Sequence, residues 1–206
     1  MSKEKIAQLR KHVSPFEKSD IRISVRQMIN TILPFLVSWF LAYQLLSVSI
    51  FLTLPFTLIA AGFVVRMFII FHDCTHGSFF KNKKANAIVG TITGVLTLFP
   101  YEKWKREHAI HHASSGNLDK RGVGDIWVMT IEEYIEASKW TRLKYRLYRH
   151  PLVMFGLGPL WLILVTSRFN RKDARKKERH NTYLINISLV VLYSALIYLI
   201  GWQAFL

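Results

Sequence analysis

The residues best suited to chemistry are histidines in two short clusters, His72-Asp-Cys-Thr-His76 and His108-Ala-Ile-His111-His112. On a helix, residues three or four positions apart share a face, so each cluster would present its imidazoles together. Five imidazoles could then converge. Imidazole is a ligand for iron, zinc, copper and nickel, so the two spacings together predict that a metal binds here.

A simpler explanation competes with the metal centre. A lone His-x3-His pair arises often by chance, Asp73 beside it could cap a helix, and solvated histidines occur in basic loops. None of these produces matching helical spacing twice, which favours the metal. A zinc hydrolase is a weaker alternative, because the HExxH arrangement that pairs two ligands with a general base is missing.

Carboxylates near the clusters are candidate partners for the histidine rings. Metal-bound imidazoles usually donate their second ring N–H to a carboxylate or a carbonyl. The candidates are Asp73, Glu107, Asp119 and Asp125. Ordinary solvation and helix capping also account for them, and for Asp119 this simpler explanation is favoured.

The cysteine content and the missing dinucleotide motif exclude several other kinds of site. The single cysteine, Cys74, excludes an intrachain disulfide framework and any site built from several cysteines. No Gly-x-Gly-x-x-Gly fingerprint for a flavin or a nicotinamide is present, so reducing power for a redox reaction must come from another protein.

The elements that must position the clusters follow from two long runs without a charged side chain. Residues 27–65 form a run of 39 and residues 181–206 a run of 26, in a chain that is 51% hydrophobic with a net charge of +15. Roughly 20 apolar residues cross a bilayer, so we predict an all-α, polytopic transmembrane protein with a helical cytoplasmic histidine region. The longer run should fold as a hairpin of helices at 28–46 and 49–71, and 181–206 should form a third spanning helix.

Basic residues set the predicted orientation, because cytoplasmic loops carry an excess of Lys and Arg. Residues 72–180 contain 20 of the 28 Lys and Arg residues, and the 1–26 arm is also basic. Both are predicted to be cytoplasmic, within a single membrane-bound domain. The uncharged runs 85–101 and 151–167 are then expected to dip into the bilayer without crossing; in the alternative, 151–167 crosses fully and the last helix returns the chain end to the cytoplasm.

The histidine clusters and their surroundings resemble the membrane-bound fatty acid desaturase family, in particular its acyl-lipid group. The similar stretch runs from Arg66 to Asp125, through RMFIIFHDCTHGSFF and GTITGVLTLFPYEKWKREHAIHHASSGNLDKRGVGD, and TIEEY follows at 130–134. The resemblance implies a non-haem di-iron centre that activates O2 and removes two hydrogens from an acyl chain. It also implies that the iron ligands include His72, His76, His108, His111 and His112.

The family's third box, a further His-x2-His-His, has no counterpart up to residue 206. The other histidines, His12, His150 and His180, are isolated and do not form one. We therefore expect the chain to be the N-terminal portion of a desaturase, truncated at its C-terminus. By itself it should bind metal weakly and should not turn over.

The resemblance implies O2-dependent desaturation of long acyl chains in membrane lipids, with electrons from a small donor such as a ferredoxin. The basic run at 168–180 is expected to lie against anionic lipid headgroups rather than nucleic acid. The alternatives are a related di-iron hydroxylase or ketolase, and a catalytically silent membrane remnant.

Overall fold

The computed structural model describes residues 3–14 and 18–202, and within these ranges the chain forms helices and turns without a strand. A π-helical turn at Val153–Leu157 and 3-10 turns at Leu118–Lys120 and Thr166–Arg168 connect some of the helices. This confirms the all-α class. The α-helices are α1 (Lys3–Val13), α2 (Ile21–Leu46), α3 (Ile50–His76), α4 (Lys83–Leu96), α5 (Tyr101–Ser114), α6 (Ile131–Glu136), α7 (Lys139–Arg149), α8 (Gly158–Leu164) and α9 (Lys176–Ile200).

Three of the described helices, α2, α3 and α9, are long and apolar enough to cross a membrane. This confirms the polytopic transmembrane class. A fourth candidate is the pair formed by α7 and the segment Val153–Arg168, which bends by 63° at the break between its two parts. Which side of the membrane each loop occupies, and whether 151–167 crosses, stay predictions.

The chain divides into two compact units, residues 1–97 with 187–206 and residues 98–186. In the first unit α2 and α3 pack together as a hairpin, and α4 packs on α3. The core of this unit contains Met67, Ile70 and Phe71, which are almost completely buried. The single membrane-bound domain predicted from the sequence stays a prediction.

Both helices of the hairpin extend beyond the predicted spans of 28–46 and 49–71. α2 begins at Ile21 because the Asp20 carboxylate caps it, accepting hydrogen bonds from Arg22 N at 2.7 Å and Ile23 N at 3.4 Å. α3 continues to His76 and ends at Gly77, whose φ of +72° is the left-handed conformation that glycine adopts without strain. The first histidine cluster therefore lies in the last turn of a long, rigid helix.

In the second unit α5 is tied to the first two turns of α9. Asn181 Oδ1 accepts a hydrogen bond from Glu102 N at 3.1 Å, and the Lys177 ammonium pairs with the Glu102 carboxylate at 2.8 Å. These contacts hold the first turn of α5, so the helix that carries the second histidine cluster starts from a fixed position in its unit.

Candidate metal centre

The first histidine cluster brings two imidazoles together at the end of α3. The Nε2 atoms of His72 and His76 lie 3.1 Å apart, and the ring centroids are separated by 4.5 Å. Two nitrogens that bind one ion at about 2.0–2.1 Å, with an angle between 90° and tetrahedral, are roughly 2.8–3.4 Å apart. The pair therefore has the separation of two ligands on one metal ion, a distance that an N–H···N hydrogen bond also fits.

Asp73 lies beside this pair and determines which ring nitrogen of His72 carries the hydrogen. His72 Nδ1 lies 3.1 Å from Asp73 Oδ1, and a carboxylate at that distance accepts the Nδ1 hydrogen. His72 then presents the lone pair of Nε2, which is the atom that faces His76. The predicted role of Asp73 beside a histidine agrees with this geometry, and Asp73 does not cap the start of a helix as the simpler explanation proposed.

The second cluster forms a matching pair in the second unit. The Nε2 atoms of His108 and His112 lie 3.0 Å apart on α5. The indole of Trp104 stacks on the His108 ring, with ring centroids 4.1 Å apart and an interplanar angle of 26°. The stacking restricts rotation of His108, so its Nε2 is held toward His112.

His111 does not join this pair, although all three histidines were predicted to share a face; its ring centroid lies 6.1 Å from that of His108 and 5.9 Å from that of His112. Its Nδ1 lies 2.7 Å from Asp125 Oδ1, and Asp125 Oδ2 accepts a hydrogen bond from Gly122 N at 3.2 Å. The loop carrying Asp125 comes so close that a Cβ added to Gly124 would lie 3.0 Å from His111 Cβ. His111 is thus a separately oriented imidazole whose Nε2 is the nitrogen left to bind a ligand.

The opposite face of α5 contains a buried anchor that the sequence had not singled out. Lys103 is 8% exposed, and its ammonium donates to Thr166 O at 2.6 Å and to Phe169 O at 2.8 Å. Burial lowers the pKa of Lys103, and the nearby Glu107 carboxylate opposes that effect. The chain contains many lysines, and in the sequence Lys103 differs from them only by its helical position, on the face of α5 opposite His108.

Arg106 extends the anchor to the start of α9. Its guanidinium donates to Asp173 Oδ2 and to the buried Glu178 Oε2, each at 3.0 Å. The hydrogen bond to Glu178 is the main reason that the pKa of Arg106 is raised. Lys103 and Arg106 together hold α5 in its unit, and Lys103 also lines a pocket to which Trp104 and His108 contribute.

That pocket has a volume of about 170 Å³ and lies within the second unit, where Trp104, His108, His111 and Leu162 contribute to its walls. Glu107 also lines it, and burial raises the pKa of this carboxyl, with Lys103 acting in the opposite direction. By contrast Asp119 is exposed in a 3-10 turn, where its N–H donates to Asn117 Oδ1. The simpler explanation favoured for Asp119 agrees with this position.

Comparison with known proteins places these residues in a family. A sequence profile described as fatty acid desaturase matches residues 47–206. The chain is 57% identical to a fatty acid desaturase of Bacillus subtilis over 97% of its own length and 56% of that protein. It is 28% identical to the chloroplastic omega-6 fatty acid desaturase of Spinacia oleracea, over 94% of the chain and 41% of the relative.

A third relative is named sn-1 acyl-lipid omega-3 desaturase (ferredoxin), from Synechocystis, and is 32% identical over 50% of the chain and 29% of that protein. The chain spans about half the length of the curated relatives that it matches over nearly its whole length. No solved structure matches the chain at a significant level.

Proposed function

Because the chain belongs to the fatty acid desaturase family, a family of oxidoreductases, we propose that it acts in the O2-dependent introduction of double bonds into long acyl chains of membrane lipids. The observation that carries the proposal is the repeated histidine geometry. Two i,i+4 pairs, each with its Nε2 atoms about 3 Å apart, lie inside the region that the family profile matches.

The proposed metal ligands are the five clustered histidines. The donor set fits iron, since it consists of imidazoles, and at His72 and His111 the second ring nitrogen contacts a carboxylate. A di-iron centre bound by them would supply the activation of O2 and the oxidising power that removes two hydrogens from the acyl chain. The ligands assigned by this proposal are His72, His76, His108, His111 and His112.

Neighbouring side chains hold these ring nitrogens in position. Asp73 and Asp125 hold two rings by Nδ1, and Trp104 restricts His108 by stacking. Lys103 and Arg106 hold α5 from behind. Preorganised imidazoles lose little freedom when an ion binds, and this is what the surrounding hydrogen bonds provide.

The proposed substrates are acyl chains of membrane lipids, and the proposed electron donor is a small acidic protein of the ferredoxin type. Apolar helices α2, α3 and α9 support a membrane location. The name of the Synechocystis relative includes ferredoxin, and a basic segment such as 168–180 attracts an acidic partner or anionic headgroups. Nucleic acid is not a proposed partner.

The proposal places both histidine clusters on the cytoplasmic side, with residues 72–180 wholly inside. Cysteine labelling tests this, because Asn170→Cys should not react with an impermeant reagent added to intact cells. The native Cys74 is buried and gives a low background. Prompt labelling of the variant from outside would contradict the sidedness and favour the alternative in which 151–167 crosses.

Metal content tests the ligand assignment in the purified chain. His111→Ala and His112→Ala should each lower the iron bound after reconstitution, because each removes one imidazole nitrogen. His180→Ala is the matched control, since His180 is exposed and lies outside both clusters. Zinc at one equivalent without iron, or loss of iron in the control but not in His111→Ala, would contradict the assignment.

Lipid analysis tests the reaction. The chain should replace the corresponding part of the 57%-identical Bacillus subtilis desaturase in a chimera expressed in a host without unsaturated lipids. We expect lipids with two hydrogens fewer, and none from the chimera carrying His111→Ala. A gain of oxygen would identify a hydroxylase instead. An inserted but inactive chimera would support the catalytically silent remnant.

A further inference from the structure

Helix α7, Lys139–Arg149, combines a strongly basic composition with an exposed apolar ridge. It contains five Lys or Arg residues and no acidic residue in eleven positions. Trp140, Leu143 and Leu147 follow one another at helical spacing of three and four, so they form one ridge along the helix. They are 62%, 44% and 57% exposed, although all three are large hydrophobic side chains.

The exposure of the ridge does not result from a loosely attached helix, because another face of α7 is firmly packed. The rings of Tyr145 and Tyr148 contact the Trp127 ring at centroid distances of 5.2 and 5.9 Å. Arg146 Nε donates to Tyr134 OH at 2.6 Å, and Arg142 Nε donates to Ala137 O at 2.9 Å. These contacts fix the rotation of α7 and leave the ridge outward.

Cations border the ridge on both sides. Lys144 lies next to Trp140, with its ammonium 5.4 Å from the indole centroid. Lys139 and Arg146 lie on the other side by helical position. Apolar side chains between long cationic ones can enter a lipid surface while the charges reach up to the phosphates.

The neighbouring chain supports the same orientation. At 1.5 Å per residue α7 is about 16 Å long, which is too short to cross the hydrocarbon core. After it the chain bends by 63° into the apolar segment Val153–Arg168, where Phe155 is also widely exposed. A basic amphipathic helix followed by a bend into an apolar segment is the arrangement of a chain that first lies along a membrane and then enters it.

We propose that α7 lies in the membrane interface and binds anionic lipids through their phosphodiester headgroups. In this arrangement Trp140, Leu143 and Leu147 enter the boundary between headgroups and acyl chains. The flanking cations attract lipids with a net negative charge, and the absence of acidic residues on α7 favours such a surface over a mixed-charge protein partner. The proposal does not depend on the desaturation chemistry, since it concerns only a surface of the second unit.

Depth-dependent fluorescence tests the position of the ridge in the full chain. Leu147→Cys is labelled with an environment-sensitive dye and reconstituted into phosphatidylcholine vesicles with or without phosphatidylglycerol. In vesicles with phosphatidylglycerol the emission should shift to the blue, and spin-labelled lipids with a shallow acyl label should quench it. Arg149→Cys, on another face of the same helix, is the matched control and should stay accessible to acrylamide in water.

Charge variants test the headgroup preference. Lys139→Gln/Lys144→Gln removes two cations that border the ridge. At low salt the preference of this variant for vesicles with phosphatidylglycerol should be weaker by roughly fivefold per charge. Added salt should reduce the same preference in the native chain. Lys81→Gln/Lys83→Gln, two exposed lysines in the first unit, is the control and should leave it unchanged.

Three results would overturn the proposal. The Leu147 label could stay water-accessible in vesicles with phosphatidylglycerol, which would show that the ridge does not enter the membrane. It could insert equally in both lipid mixtures, which would remove the anionic preference. The Leu147→Cys thiol could instead cross-link in high yield to another part of the protein or to a second copy, which would mean that protein rather than lipid covers α7.

Discussion

The buried ammonium of Lys103 should be a principal support of the helix that carries the second histidine pair. Lys103→Met keeps most of the side-chain volume and removes the charge together with two hydrogen bonds, to Thr166 O and Phe169 O. Both carbonyls would lose their charged donor in a partly buried region. We expect α5 to open more often in this variant.

The size of the effect follows from the two contacts. A hydrogen bond from a charged donor contributes about 1.5–3 kcal/mol, so the pair gives a gross loss of roughly 3–6 kcal/mol. Part of this is offset, because burial lowers the pKa of Lys103 and the variant no longer buries a cation. A net destabilisation of about 2–4 kcal/mol corresponds to a roughly 30- to 900-fold increase in opening.

Amide hydrogen exchange measured by mass spectrometry checks this value in the reconstituted protein. Peptides covering α5 and residues 166–170 should exchange faster by that factor, whereas peptides from α3 should not change. Lys105→Met is the control, because Lys105 is an exposed residue on the same helix. Equal exchange in the two variants would refute the argument that Lys103 anchors α5.

Three further predictions concern other contacts. Gly124→Ala should lower metal binding more than Gly116→Ala. Both glycines have a positive φ, but only at Gly124 would the new methyl group meet the His111 side chain. Iron titration of the two variants measures the difference. Asn86→Leu should lower the thermal unfolding temperature. The native Asn86 amide makes three hydrogen bonds with the loop that follows His76, and their loss costs about 2–4 kcal/mol. An unchanged unfolding midpoint would contradict this role of Asn86. The pKa of Glu133 lies below its ordinary value of 4.5, chiefly because its carboxylate accepts a hydrogen bond from Arg121. The carboxylate therefore stabilises α6 fully above pH 4.5, and this stabilisation should be lost as the pH falls through the lowered pKa. Amide exchange in Ile131–Glu136 measures the loss, and Glu133→Gln should remove the pH dependence.

Sequence determined the features that depend on local spacing and on the length of apolar runs. A charge-free run of 39 residues exceeds one membrane crossing, so a helical hairpin follows from the thickness of a bilayer. The i,i+4 spacing of His72 with His76 and of His108 with His112 follows from helix geometry alone, and both pairs are present. The charge-free run does not include the start of α2, because the Asp20 carboxylate caps the helix before the charged residues Arg22 and Arg26.

Tertiary structure decided which atoms each side chain contacts. His111 could have joined its neighbours, since position i+3 lies on the adjacent part of the same helix face; Asp125, fourteen residues away, turns it aside. Lys103 became an anchor through two carbonyls 63 and 66 residues further along the chain. Helical periodicity specifies a direction from the helix axis, whereas burial and hydrogen-bond partners depend on segments that are distant in sequence, and these exist only once the chain has folded.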